Sequence, residues 1–500
     1  MFLRHGRPWH EPAAQVIGVT RDERAGATVG RGTGRRSAST ARGLALATLA
    51  LGPVAGPAAA LPRAATGLVP APPGVPTVVL PATDVSPQTT APPVDPALDA
   101  ALSAALRSKA LGTDVTVSVL DVASGKVLVG RGDTRPQQPA SSLKVLTAVT
   151  VLQTYGDDAR LTTAAVTGAT PSEVVLVGGG DATLTRAPAS TASLPAGQAA
   201  RPASMAALAA ATATALKAEG LTRVTLKADD TLFTGPRTAE GWPASYVTSG
   251  VVSPVSALSV DGGRTGAAVR TRDADPALAA ARYFAQRLAA AGVTVTGTVG
   301  RGSAPASAVA LASVQSPTMA DLVERMLTQS DDDLAEALAH LAGAKAGGSA
   351  SFVGGVAATT SVLTSLGVPT EGVRLSDGSG LSAVDHVPAL TMVRTLAAAA
   401  TDAPASGQDT GVLWPTTSGL PVAGVTGTLA ERFATPGTSA GRGVVRAKTG
   451  TLTGVNSLSG LVRDRQGRLL AFSFIADGSP GPVLDARAAL DRGASVLAAS

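Results

Sequence analysis

Between residues 114 and 120 apolar side chains fall on alternate positions (Val115, Val117, Val119), and a second apolar run, 126–129, follows Gly125. A period of two on both sides of a glycine predicts a β-hairpin. Ahead of it, Asp95-Pro96 pairs a capping side chain with proline at a first helical position, so a helix is expected over 96–111, halted by Gly112. A further helical pattern opens at Ser141 and runs to about 153, ending by Gly156. From 161 to 312 the texture changes. Short runs at 174–177, 224–227 and 293–299 read as strands and 203–219 and 276–291 as helices, with Gly- and Pro-rich turns between them. Gly178-Gly179-Gly180-Asp181 reads as a strand-end turn, because it lacks the Gly-Lys-Ser/Thr of a phosphate loop.

Beyond 312 helical spacing returns. Ser316-Pro317 is expected to cap and start a helix that carries Met319, Leu322, Val323 and Met326 and ends near 329. Ser330-Asp331-Asp332-Asp333 is expected to cap the next, over 334–341, and Asp377-Gly378-Ser379-Gly380-Leu381 to form a tight turn. An apolar helix over 390–400 follows, then a strand over 443–447, strands at 457–462 and 469–475, and a last helix over 483–498. Helices at both ends with antiparallel strands beside them predict an α+β fold whose sheet is built from both chain ends.

Composition alters this picture mainly at the N-terminus. Eight arginines precede residue 43, an apolar run follows from Gly43 to Leu51, and small residues end in Ala58-Ala59-Ala60. That order predicts a signal peptide over 1–60. Gly52, Pro53 and Pro57 break the run, which is short for a span, so membrane contact is expected only through this peptide or through it left uncleaved as an anchor. Residues 61–94 read as a Pro/Ala/Thr linker. The rest divides into 95–160, 161–312 and 313–500, the middle stretch being inserted. Much of the net charge of +5 comes from the N-terminal arginines, and aromatics make up 3%, so a nucleic-acid partner is not expected.

Only seven of the 41 basic residues are lysines, and two of them sit in paired motifs. Ser141 and Lys144 are three apart, hence on one helical face, one turn from each other. A serine hydroxyl needs a base to become a nucleophile, and a lysine can be that base where an arginine cannot. Lys448-Thr449-Gly450, at the end of an expected strand, offers a cation, a hydroxyl and an open backbone that suit a carboxylate. Ser330, at an expected helix start, suits a proton relay. Each has a bland alternative: Ser330 a cap, Lys448 a surface lysine. His340 and His386 show no metal spacing and read as core or surface residues, and Trp242 and Trp414 as packing or groove residues.

Taken in order, Ser141-Ser142-Leu143-Lys144, Ser330-Asp331-Asp332 and Lys448-Thr449-Gly450 resemble the signature of penicillin-binding proteins and serine β-lactamases. Asp377-Gly378-Ser379-Gly380-Leu381 and the long first gap narrow the resemblance to the D-alanyl-D-alanine carboxypeptidase/endopeptidase family of low-molecular-mass penicillin-binding proteins, over residues 95–500. Compact β-lactamases bring their second motif sooner. The resemblance implies a serine β-lactamase/D,D-peptidase-like fold, an antiparallel sheet flanked by terminal helices plus an all-helical part, with a mixed, β-rich inserted domain at 161–312. It implies Ser141 as nucleophile, Lys144 as base, Ser330 as relay, and backbone N–H groups of Ser141 and Thr451 around the oxyanion. Asp332, Lys448, Thr449, Gly450 and Thr451 would bind substrate. Peptidoglycan peptides and β-lactam antibiotics are the implied partners, the location is extracytoplasmic, and no metal or organic cofactor is implied.

One residue departs from the pattern. The family has Ser-Asp-Asn, and here the third residue is Asp332. An amide donates to a substrate carbonyl, whereas an ionised carboxylate cannot, and a carboxylate near Lys144 favours its charged form. Asp332 is therefore expected to be protonated, or turned away, or to slow the enzyme. The alternative function is a catalytically weak or inactive wall-binding protein that kept the fold. A β-lactamase would need a deacylating base that the sequence does not display.

Overall fold

In the computed structural model, which describes residues 95–188, 201–266, 269–401 and 411–500, strands from both ends of the described chain meet in one sheet. The expected signal peptide and linker lie outside the described residues. We number the strands of five or more residues and the helices of eight or more in chain order. The first half holds α1 (Pro96–Leu106), β1 (Val115–Asp121), β2 (Val127–Arg131), α2 (Lys144–Tyr155), β3 (Arg160–Thr167), β4 (Glu173–Val177), α3 (Met205–Ala218), β5 (Arg223–Asp229) and α4 (Pro276–Ala290). The second holds β6 (Ala310–Thr318), α5 (Met319–Gln329), α6 (Asp332–Lys345), α7 (Phe352–Ser365), α8 (Ala389–Ala400), β7 (Arg446–Leu452), β8 (Val455–Arg463), β9 (Leu469–Asp477) and α9 (Val483–Ala499).

The main sheet is antiparallel throughout, in the order β7-β8-β9-β1-β2. Alternation along β9 divides two cores. Leu470, Phe472, Phe474 and Ala476 pack with the terminal helices α1 and α9. Ala471 and Ile475 face a helical layer made of α2, α5, α6 and α8. Within that layer every residue from Lys144 to Leu152 is buried, which is why α2 is apolar on all sides. Its N-terminus emerges where the helical layer meets the edge strand β7.

The stretch between β3 and β6 builds a second sheet and its own core. Thr294–Val295, β5, β4, β3 and β6 lie side by side, β4 and β5 parallel and joined through α3, β3 antiparallel to both its neighbours. Leu176, Leu208, Leu226, Phe284 and Leu288 fill the space between this sheet and helices α3 and α4. Among the described residues no helix is long and apolar enough to cross a membrane.

Several local expectations are corrected. Ser316-Pro317 does not start α5, because both residues extend β6. The Ser316 hydroxyl is committed to the Leu161 N–H (2.9 Å) and the Pro317 carbonyl (2.6 Å). Thr318 caps α5 instead, in a reciprocal box with Asp321. Helix α1 stops at Leu106, where Arg107 turns extended. The expected strand at 293–299 survives only as Thr294–Val295, with Gly300–Arg301 pairing separately, because Gly297 turns at positive φ between them. Helix α7 was not expected at all, since Gly354 and Gly355 weaken its helical signal. Those glycines let α6 and α7 touch: a Cβ on Gly343 of α6 would lie 2.5 Å from the Gly354 backbone.

Candidate active site

Ser141 does not lie in α2 itself. It occupies a tight 3₁₀ turn, Ala140–Leu143, that feeds the helix, with Ala140 at φ 47°. Lys144 is the first residue of α2 and is wholly buried. Its Nζ donates to Ser141 Oγ at 3.1 Å, to Asp332 Oδ1 at 2.6 Å and to the Ser379 carbonyl at 2.8 Å. These three acceptors account for all three protons of an ammonium. The turn is tied to the sheet beside it. Ser457 Oγ donates to the Pro139 carbonyl (2.6 Å) and lies 2.8 Å from Ser142 Oγ, which reaches the Lys448 carbonyl at 3.4 Å. Gly450 makes this approach feasible, because a Cβ there would sit 2.5 Å from the Pro139 carbonyl oxygen.

The carbonyl of Ser379 reaches Lys144 because its loop is held from several sides. Glu336, buried in α6, accepts the N–H groups of Gly378 (3.1 Å) and Ser379 (2.8 Å). Asp377 accepts from Ser379, Gly380 and Ser382 and from Trp242 Nε1 at 2.7 Å. Thr147 Oγ1 donates to the Gly378 carbonyl at 2.6 Å. Burial and the neighbouring Asp377 push the Glu336 carboxyl well above the usual carboxylate range. Sequence reading found a turn here and missed its task. The signal available was an Asp-Gly-Ser-Gly run, polar enough to need many internal partners.

Ser330 is not at the start of a helix. It closes α5 in the left-handed conformation (φ 56°, ψ 46°), and Asp331 caps α6 by accepting the Leu334 N–H at 3.1 Å. Lys448 lies inside β7, which runs on to Leu452, and it is buried, so it is not a surface lysine. Its Nζ donates to Ser330 Oγ and to the Thr449 carbonyl, both at 2.8 Å. Burial first, then the charge of Lys144, push its proton affinity well below the usual lysine range, with Asp332 opposing. Ser141, Ser330, Thr449 and Thr451 line one cavity of about 370 Å³ with Thr428, Arg432 and Arg487. Thr449 Oγ1 lies 2.9 Å from Thr428 Oγ1.

Asp332 is not turned away. It forms an ion pair with Lys144 and its side chain is 19% exposed. Its neighbour Asp333 points the other way, onto the buried Arg272 at 2.8 Å and the Ser253 N–H at 2.7 Å, tying α6 to the segment between β5 and α4. His340 is a core residue packed between a tilted Phe233 and an edge-on Phe352, and burial holds its pKa down to about 4. Trp242 serves the site through Asp377, whereas Trp414 is 62% exposed and packs little.

An antiparallel sheet with terminal helices on one face and a helical layer on the other, with a serine–lysine turn facing a strand lysine at their junction, defines the class of active-serine D,D-peptidases. The family model described as D-Ala-D-Ala carboxypeptidase 3 (S13) matches residues 98–274 and 265–498. Carboxypeptidase DacB of Mycolicibacterium smegmatis is 36% identical over 477 residues, 93% of this chain and 97% of the relative. Carboxypeptidase Rv3627c of Mycobacterium tuberculosis is 35% identical over 435 residues, 86% of this chain and 88% of the relative. Among solved structures, penicillin binding protein 4 (dacB) from Haemophilus influenzae shares the fold, with a TM-score of 0.64 at 21% identity over 79% of this chain and 97% of that one. The chain belongs to the D-Ala-D-Ala carboxypeptidase 3 (S13) family, whose members are serine-type carboxypeptidases.

Proposed function

We propose that the protein is an extracytoplasmic D-alanyl-D-alanine carboxypeptidase and endopeptidase that trims peptidoglycan stem peptides through an acyl-enzyme on Ser141, and that β-lactams acylate the same oxygen. The observation that carries this reading is the buried Lys144 Nζ held 3.1 Å from Ser141 Oγ. Ser141 Oγ attacks the carbonyl carbon of the penultimate D-alanine while an uncharged Lys144 takes its proton. Backbone N–H groups of Ser141 and Thr451 hold the oxyanion. As the C–N bond breaks, Ser330, next to Lys448, relays to the leaving amine the proton that Lys144 took, which returns Lys144 to its uncharged form. Thr449 and Thr451 hold the carboxylate of the departing D-alanine along the strand that Gly450 keeps open. Water then attacks the ester, returns the proton and frees the shortened peptide. Residues 95–160 and 313–500 form the peptidase domain in this reading, and 161–312 its insertion.

The test is mass spectrometry of the intact protein after exposure to penicillin and to a peptide ending in D-Ala-D-Ala. The expected result is a penicillin adduct on Ser141, D-alanine release from the peptide, and loss of both in Ser141→Ala. A second reading, a slow or inactive wall-binding protein, is favoured by one observation, the 2.6 Å ion pair between Asp332 and Lys144. An adduct that never forms, with the protein still bound to wall peptides, would select it.

A further inference from the structure

The cavity beside Ser141 contains a cation that this mechanism leaves unused. Arg487 lies in the second turn of α9, half-buried, with Nη2 3.4 Å from Thr451 Oγ1. Among the described residues no carboxylate lies within ion-pair distance of it. The acid nearby is already taken, since Asp491 is gripped by Arg432 through Nη2 (2.6 Å) and Nε (3.2 Å). Arg432 also donates to the Arg487 carbonyl at 3.3 Å, so it adds positive charge without supplying a counter-ion. Burial and then Arg432 work against the charge on Arg487, with Asp491 offsetting part of this, and a guanidinium keeps its proton in a protein. A partly desolvated, unpaired cation is unfavourable unless a bound anion completes it.

The cavity indicates which anion. Thr449 and Thr451 are two apart on β7 and so present their side chains on one face of the strand. Both line the cavity that holds Ser141, and Arg487 donates to the Thr451 hydroxyl. In a peptide cleaved at Ser141 the leaving amino acid carries the C-terminal carboxylate one residue, about 3.5 Å, beyond the scissile bond, and Thr449, Thr451 and Arg487 line the same cavity as that serine. We infer that Arg487 is a specificity residue for the leaving group, its guanidinium binding the α-carboxylate of the departing D-amino acid alongside Thr449 and Thr451. The inference rests on Ser141 being the nucleophile, as proposed above, and adds to it a source of substrate choice outside the three motifs.

The experiment compares two N-acylated peptides ending in D-Ala-D-Ala, one with a free C-terminal carboxylate and one as its C-terminal amide. It reads the ratio of their kcat/KM values for the wild type, R487M and R487K. A charge-assisted hydrogen bond to the carboxylate predicts that R487M lowers the acid-over-amide ratio by about tenfold or more, mostly through KM. R487K should restore part of it. Thermal melts check the fold, and if R487M melts early, R487K and R487Q carry the same comparison. A ratio that stays within about twofold of the wild type, or equal losses on both peptides, overturns the assignment, because a carboxylate contact of this kind must discriminate. A wild type that cleaves neither peptide removes the reading of Ser141 and this one with it. A wild type that cleaves, with variants of unchanged ratio, removes only this one.

Discussion

Replacing Asp332 by asparagine is the perturbation that bears most directly on the chemistry. In the structure Lys144 donates to three acceptors, Ser141 among them, as an ammonium does, and an ammonium cannot take a proton from Ser141. An uncharged amine has two protons and one lone pair. It fits the same cage if it donates to the Ser379 carbonyl and to the side-chain oxygen at position 332 and turns its lone pair to Ser141. What opposes this is the carboxylate. At 2.6 Å an effective dielectric constant of about 20 gives a bare attraction of roughly 6 kcal/mol. Solvation lost on burial offsets part of this attraction, so only a fraction of it bears on the reaction. An amide keeps the oxygen and drops the charge, so that much of the acylation barrier is removed. The expected gain is about tenfold to a thousandfold, up to the point where another step limits. The assay is the second-order rate of labelling by a fluorescent penicillin from about pH 6 to about pH 9. Asp332→Asn should be faster than the wild type at neutral pH. A rate unchanged or lower, with the fold intact, would refute the reasoning.

Other residues give sharper tests of stability than of rate. Lys448→Met should abolish penicillin labelling without lowering the melting temperature, because a wholly buried cation is removed along with its desolvation penalty. The unfolded state binds more protons than the folded one between the depressed pKa and 10.5, so the wild type gains stability as pH rises through that window and the variant should lack the gain in urea titrations. His340 is held at about 4 against 6.5 unfolded, so it withdraws about 3 kcal/mol of stability as pH falls from 6.5 to 4. Denaturation of His340→Phe across that range should show a correspondingly shallower acid loss. Asp333→Ala should cost about 3–5 kcal/mol by orphaning the buried Arg272, whereas pairing it with Arg272→Met recovers most of that. Equal stability of the single and double variants in urea melts would contradict this.

Much of this site could be read from the chain because its parts announce themselves by residue type. Ser141, Lys144, Ser330 and Lys448 are far apart in sequence, yet each sits in a short, recognisable cluster, and the structure brings them within hydrogen-bond reach in two pairs. The hairpin of β1 and β2 was legible from its period of two, and α9 from its helical spacing. The failures share a cause, in that a tertiary contact overrode a local signal. Ser316-Pro317 looks like a helix start, but pairing of β6 with β3 claims it, and the better box lies two residues on at Thr318. The third acceptor of Lys144 is a backbone carbonyl at Ser379, and a carbonyl carries no residue identity to notice. Arg487 enters the cavity from a helix with no motif of its own, so only its tertiary contact with Thr451 reveals it.

The pairing of Val117 with Phe474 has a bearing on how the molecule is made. The middle strand of the main sheet, β9, follows β1 by about 350 residues, so the β1–β2 hairpin finds its permanent neighbour only across that length of chain. Closing so long a loop is slow, so the main sheet is completed late in folding. Without β9 the sheet would fall into two halves, β7 with β8 and β1 with β2, with nothing to join them.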